Sequence, residues 1–171
     1  MQIKEILSDK SIKPKDRTEK ISSLLLEKKI PIPEIIKFAK TAKDSDKATC
    51  LEAIEYATKK DLGLGTTECL DFAIGSLKEK PPRVKWESAK IVGNIISSFP
   101  KKVDVAVAGL LENATHEGTV VRWSAAFALG EIIKLKTRAN VKLIPIVEKI
   151  IQKEGKESIR KIYKKSLQSI V

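Results

Sequence analysis

The strongest constraint on this chain is a helical motif that occurs twice at a fixed distance. Residues 119–133, TVVRWSAAFALGEII, place small and apolar side chains on one helical face, and residues 82–96, PRVKWESAKIVGNII, repeat the pattern. Val84, Trp86, Ala89, Gly93, Ile95 and Ile96 of the first copy align with Val121, Trp123, Ala126, Gly130, Ile132 and Ile133 of the second, 37 positions on. An offset of that size with helical content is the signature of stacked helix pairs, each of which needs its neighbours to cover its apolar face.

The rest of the chain fills in that scheme. Residues 2–7 and 14–29 read as two leading helices, the second opened by Pro14 and carrying Ile21, Leu24 and Leu25 on one face. Together, as residues 1–30, they read as an N-terminal cap. Pro31 and Pro33 break the pattern, after which a helix over 34–42 buries Ile35, Ile36 and Ala39. A polar turn at Asp44, Ser45 and Asp46 follows, with Asp46 as N-cap of a helix over 47–59 that turns Leu51, Ile54 and Ala57 inward. Gly63 and Gly65 mark the next turn. Thr66 or Thr67 then caps a helix through Leu77, whose inner face holds Cys69 or Leu70, Ala73, Ile74 and Leu77. Residues 103–114 bring Val107, Leu110 and Leu111 inward. The last pair covers 141–153, with Pro145 in its first turns, and 156–170. There Ile159, Arg160, Leu167, Ile170 and Val171 match Val121, Arg122, Leu129, Ile132 and Ile133, 38 positions on. The chain thus reads as one domain, 1–171, with four pairs over 33–60, 66–98, 101–136 and 140–171.

The string Val121-Arg122, Ala125-Ala126, Ala128-Leu129-Gly130 and Ile132 resembles the second helix of a HEAT repeat. The resemblance is close over 117–133, good over 84–96, and extends to 33–171 when the first and last pairs are included. It implies an all-α, right-handed solenoid of the HEAT-like, armadillo-type class, with first helices on the convex side and second helices lining the concave side. It also implies a protein-binding scaffold. In such repeats the arginine at the position of Arg122 pairs with an acidic residue of a neighbouring repeat. Lys85 and Arg160 occupy the matching places, so the three are expected to form a structural ladder.

Helical geometry separates the buried from the outward residues of each second helix. Advancing 100° per residue from Val121 puts Val121, Ala125, Leu129, Ile132 and Ile133 on one arc and Trp123, Phe127, Glu131 and Lys134 on the other. The same arithmetic turns Trp86 and Lys90 outward in the preceding pair, Lys161 and Lys165 in the last, and Ala48 and Glu52 in the first. Two rows result, Ala48, Trp86, Trp123, Lys161 and Glu52, Lys90, Phe127, Lys165, with an aromatic centre and a basic C-terminal edge. Tryptophans beside lysines suit a groove that grips a peptide or stacks on bases. Alternatively, each indole fills the space over a glycine of the adjacent helix. Phe127 is read as a groove or inter-subunit contact.

Charge sharpens the question of partner. The net charge is +11, and it is uneven: residues 1–80 hold 16 Lys/Arg against 14 Asp/Glu, residues 81–171 hold 17 against 8. Lys153, Lys156, Arg160, Lys161, Lys164 and Lys165 form the densest run. Such a balance suits an acidic protein or nucleic acid. No stretch approaches the roughly 20 apolar residues of a membrane helix, and residues 1–9 lack the apolar segment of a secretory signal, so a cytoplasmic protein is expected. Cys50 and Cys69 read as reduced core thiols, and with His116 as the single histidine they make no zinc site of the usual kind. No cofactor or metal is expected. The sequence carries no catalytic constellation, and Gly63-Leu64-Gly65 follows a helix and lacks the Lys-Ser ending of a phosphate loop. The HEAT-like alkylpurine DNA glycosylases, also basic solenoids with tryptophans along a cleft, use a cleft aspartate near the aromatics. Here Lys90 and Phe127 stand one turn after Trp86 and Trp123, and Asp104, on a first helix, is the last aspartate. The chain therefore reads as a non-catalytic scaffold or adaptor that recognises a protein partner through Trp86, Lys90, Trp123, Phe127, Lys161 and Lys165, with a nucleic-acid-binding module as the alternative and a DNA alkylation-repair glycosylase relative behind it.

Overall fold

Proline sets where the helices begin. Pro14, Pro33 and Pro82 each occupy one of the first two helical positions, where a missing N–H leaves no bond unmade. The structure, a computed structural model, describes residues 2–170. Among them ten α-helices run from end to end: α1 (Gln2–Ser8), α2 (Pro14–Leu26), α3 (Ile32–Thr41), α4 (Asp44–Lys60), α5 (Thr67–Ser76), α6 (Pro82–Ile95), α7 (Val103–Ala114), α8 (Thr119–Lys134), α9 (Asn140–Lys153) and α10 (Glu157–Gln168). Val171, matched to Ile133 in the sequence, lies outside the described residues.

Local chemistry moved two boundaries and decided a third. Asp46 is not an N-cap: α4 starts three residues earlier than expected, with Lys43 at the cap position, and Asp44 and Asp46 lie in its first turn. There their charges face the positive end of the helix dipole. Helix α2 stops at Leu26 and not Lys29, because Lys28 takes a left-handed backbone with φ 57° and the N–H groups of Lys29 and Ile30 fold back onto the Leu24 carbonyl. Of the two threonines, Thr66 is the cap, its side-chain oxygen accepting from the Cys69 N–H at 3.1 Å.

The helices form two layers. Each odd-numbered helix packs on the even one that follows it, and α2, α4, α6, α8 and α10 stack directly on one another, so that the two leading helices extend the same layers. The interior between the layers holds Ile35, Ile36, Leu51, Ile54, Leu70, Ala73, Val84, Val92, Leu110, Val121, Ala125, Leu129, Ile132 and Ile159, all essentially buried. Cys50 and Cys69 are both free and fully buried in it, which pushes each thiol up to about 12. One expectation about the interior fails. Val107 and Leu111 are only half-buried, because α9 diverges from α7 and leaves a cleft of about 740 Å³ that these two residues line with Val141 and Ile146. No helix is long and apolar enough to cross a membrane among the described residues.

The three ladder positions are held in different ways, and not all of them across the repeats. Arg122 reaches the last pair, donating from Nε and Nη2 to the two carboxylate oxygens of Glu154 at 2.8 and 3.3 Å and from Nη1 to the carbonyls of His116 and Glu117. Lys85 has no acidic partner among the described residues; its ammonium donates to the Leu77 carbonyl and to Asn113 Oδ1. Arg160 stays within its own pair, on Glu157 and the Glu154 carbonyl.

The side chain of Glu154 is 3% exposed, and the hydrogen bonds from Arg122 hold its carboxyl below the usual carboxylate range. A carboxyl with a lower pKa folded than unfolded stabilises the fold above its unfolded value, about 4.3 for glutamate, and that contribution disappears as pH falls through the folded value. Arg122→Leu, which strands this carboxylate, is expected to cost about 3 kcal/mol at pH 7 by urea titration. It should also lose less stability than the parent between pH 6 and pH 3; an equal loss in both proteins would refute the assignment.

Candidate functional site

The outward face of the second helices is best defined around α8. Trp123 and Phe127 lie one turn apart, their rings stacked with centroids 6.3 Å apart and planes 11° from parallel. Trp123 is 41% exposed. Phe127 is half-buried, because its ring lies over Gly93 of α6, where a Cβ would come within 2.5 Å of the ring. The space over the glycine is therefore filled by phenylalanine and not by an indole. Gly130 repeats the device with a smaller partner, Ser166 of α10.

Trp86 differs from its counterpart. It is half-buried, and its indole N–H donates to Glu87 Oε1 at 2.6 Å. Lys90, read from its position as an outward cation, is also taken up internally. Its ammonium lies 2.8 Å from Glu87 Oε2 and 3.2 Å from Glu55 Oε2, with 24% of its side chain exposed. Burial penalises the Lys90 ammonium, but the hydrogen bonds and charges of Glu87 and Glu55 outweigh it and raise the pKa above the usual lysine value. Burial likewise raises the Glu87 carboxyl, the bonds from Lys90 and Trp86 offsetting only part of it.

The first row also changes at its N-terminal end. Ala48 is buried, at 2% exposure, since α2 packs over that flank of α4. Glu52 accepts from Thr18 at 2.8 Å and pairs with Arg83 at 2.6 Å. Two residues that the helical arithmetic passed over belong to this face. Tyr56, one turn beyond Glu52, is 41% exposed with the Lys60 ammonium 5.0 Å above its ring. Asn94, one turn beyond Lys90, donates to the Glu55 carbonyl at 3.1 Å. Glu55, Lys59, Lys90, Asn94, Trp123 and Phe127 together line a shallow cavity of about 100 Å³ spanning α4, α6 and α8.

Lys161 and Lys165 are exposed on α10, and Lys164 beside them; among the described residues none of the three has a carboxylate partner. His116 is held in its turn, Nδ1 accepting from the Gly118 N–H at 2.9 Å. No group of three or more His, Cys, Asp or Glu side chains suited to a metal occurs among the described residues. The arrangement brings together aromatic surface, an amide, a carboxylate and ammonium groups.

No protein-family model matches the sequence and no curated protein is similar to it. Solved structures are similar in fold. A designed armadillo repeat protein in complex with the peptide (KR)4 superposes with a TM-score of 0.73 at 17% identity, covering 99% of this chain and 80% of that one. A second designed armadillo repeat protein gives 0.70 at 15% identity over 99% and 81% of the two chains. Computationally designed armadillo repeat proteins for modular peptide recognition give 0.71 at 16% identity over 98% and 80%. The fold is an armadillo/HEAT-like repeat solenoid.

The seat of Phe127 on Gly93 makes a measurable claim. Gly93→Ala forces the ring away and presses on the Cα of Ala128, 3.2 Å from the added carbon. The expected cost is about 1–3 kcal/mol in chemical denaturation, with a shift in Trp123 emission as its stacking partner moves. Gly130→Ala should cost less, because the Ser166 hydroxyl can rotate aside; equal costs would contradict this packing.

Proposed function

We propose that the chain is a non-catalytic scaffold that recognises an extended, acidic segment of a protein partner along the outward, concave face of its second helices. The observation that carries this reading is the stacked Trp123–Phe127 pair, an aromatic platform left 41% exposed at Trp123 on a rigid helix. Rigid aromatics at the centre of a contact surface supply much of the binding energy of protein interfaces. The exposed lysines of α10 add donors on one side of the platform. The designed armadillo protein in complex with the peptide (KR)4 gives precedent for a solenoid of this fold holding a peptide. The site set is then Trp123 as anchor, Lys161 and Lys165 as charged contacts, Trp86 and Phe127 as support, and Lys90 as an internal counter-ion.

Nucleic acid is the second reading, favoured by the last helical pair, where residues 135–171 hold ten Lys/Arg against three Glu. Phosphate contacts make affinity fall steeply with salt.

Selection from a displayed library of random peptides separates the two. An enriched motif with an aromatic or aliphatic anchor beside acidic residues is the expected result. Trp123→Ala should weaken the selected peptide at least tenfold, about 1.4 kcal/mol. Absence of any enriched motif, together with strongly salt-dependent binding of labelled single-stranded DNA or RNA, would replace this reading with the second.

A further inference from the structure

The carboxylates on this face are all spoken for. Glu52 is paired with Arg83, Glu55 with Lys90, and Glu87 with Lys90 and the Trp86 N–H. Beside them Trp123 and Phe127 line the same cavity as Glu55 and Lys90. Two carboxylates flanked by aromatic rings are what a lysine or arginine side chain from a partner would seek. Here that place is filled from within. At the other edge, Lys161, Lys164 and Lys165 lack carboxylate partners among the described residues.

We propose that Lys90 is a specificity-determining residue: it occupies the Glu55–Glu87 cradle as an internal substitute for a cationic side chain, closing the groove to basic segments and leaving α10 to select acidic ones. The inference rests on the peptide-binding reading above. It also fixes a spacing. Neighbouring helices lie roughly 8–10 Å apart and an extended chain advances about 3.3 Å per residue. A segment anchored on Trp123 of α8 therefore presents its acidic residues to Lys161 and Lys165 of α10 two to three positions away.

The test uses two labelled peptides that share a phenylalanine anchor, one flanked by glutamates two and three positions away and one by lysines, followed by fluorescence anisotropy. The parent protein should favour the acidic peptide at least tenfold, with a preference that shrinks as salt rises. Lys90→Met frees both carboxylates and is expected to raise affinity for the lysine peptide at least tenfold, while Lys90→Arg restores the parent preference. Because Lys90→Met strands two carboxylates and can unfold the protein, Glu55→Gln with Glu87→Gln tests the same point from the other side. That variant releases the Lys90 ammonium and should tighten the acidic peptide several-fold. Unchanged selectivity in either folded variant, or a parent protein that prefers the lysine peptide, would overturn the role of Lys90 while leaving peptide binding intact. A parent protein that binds neither these peptides nor any library peptide would overturn the peptide-binding reading itself, and this inference with it.

Discussion

The structure depends on how closely successive second helices approach one another. A helix pair of this size cannot cover its own apolar face, so its stability is borrowed from the interface with the next pair. At two of those interfaces the approach is set by a glycine. Gly93 receives the ring of Phe127 and Gly130 the hydroxyl of Ser166. An extra carbon at either place would meet the neighbour at 2.5 Å, so the layer geometry and the position of the aromatic platform are one constraint. Phe127 serves both: its Cδ1 and Cε1 atoms close the α6–α8 contact over Gly93, and its ring stacks with Trp123.

Fold was readable because periodicity reports burial. Val121, Ala125, Leu129, Ile132 and Ile133 stand on one arc and all are buried; the 37-residue offset carried that arc to Val84 and Ile96, which are buried too. The same wheel turned Trp123 outward, where it is found. It says little about what a side chain meets. Lys90 occupies an outward angle, yet two glutamates reach it, one from its own helix three residues before and one from α4. Glu87 was visible at i−3 as a partner; Glu55 was not, since its reach depends on the lateral register between two helices. Ala48 failed for a related reason: the wheel treats a helix as having one neighbour, while α4 has α2 on one flank and α6 on the other.

Two omissions were avoidable. Tyr56 and Asn94 lie one turn beyond Glu52 and Lys90, within reach of the arithmetic that found the earlier residues. Val107 and Leu111 were not legible, because both lie on an apolar stripe that would be interior if α9 followed α7 as closely as α10 follows α8. Whether the outer layer closes depends on helix lengths and links across the whole pair, and the outer layer here opens into the cleft lined by Val141 and Ile146.

Charge is arranged along the stack with a sense that the total of +11 conceals. Between α4 and α6 cations and carboxylates are matched within hydrogen-bond distance, Arg83 on Glu52 and Lys90 on Glu55 and Glu87. Across α8 and α9 Arg122 is matched by Glu154. On α10 only Arg160 finds a carboxylate within its own helix, at Glu157, and the ammonium groups of Lys161, Lys164 and Lys165 extend into solvent. Matched pairs near the surface contribute little to long-range potential, whereas a run of unmatched ammonium groups on one rigid helix sets up a field that steers an anionic partner. The aromatic platform lies at the boundary between the two regimes. In the proposed binding mode its apolar surface supplies the affinity, and the asymmetry of charge on its two sides gives the bound segment a direction.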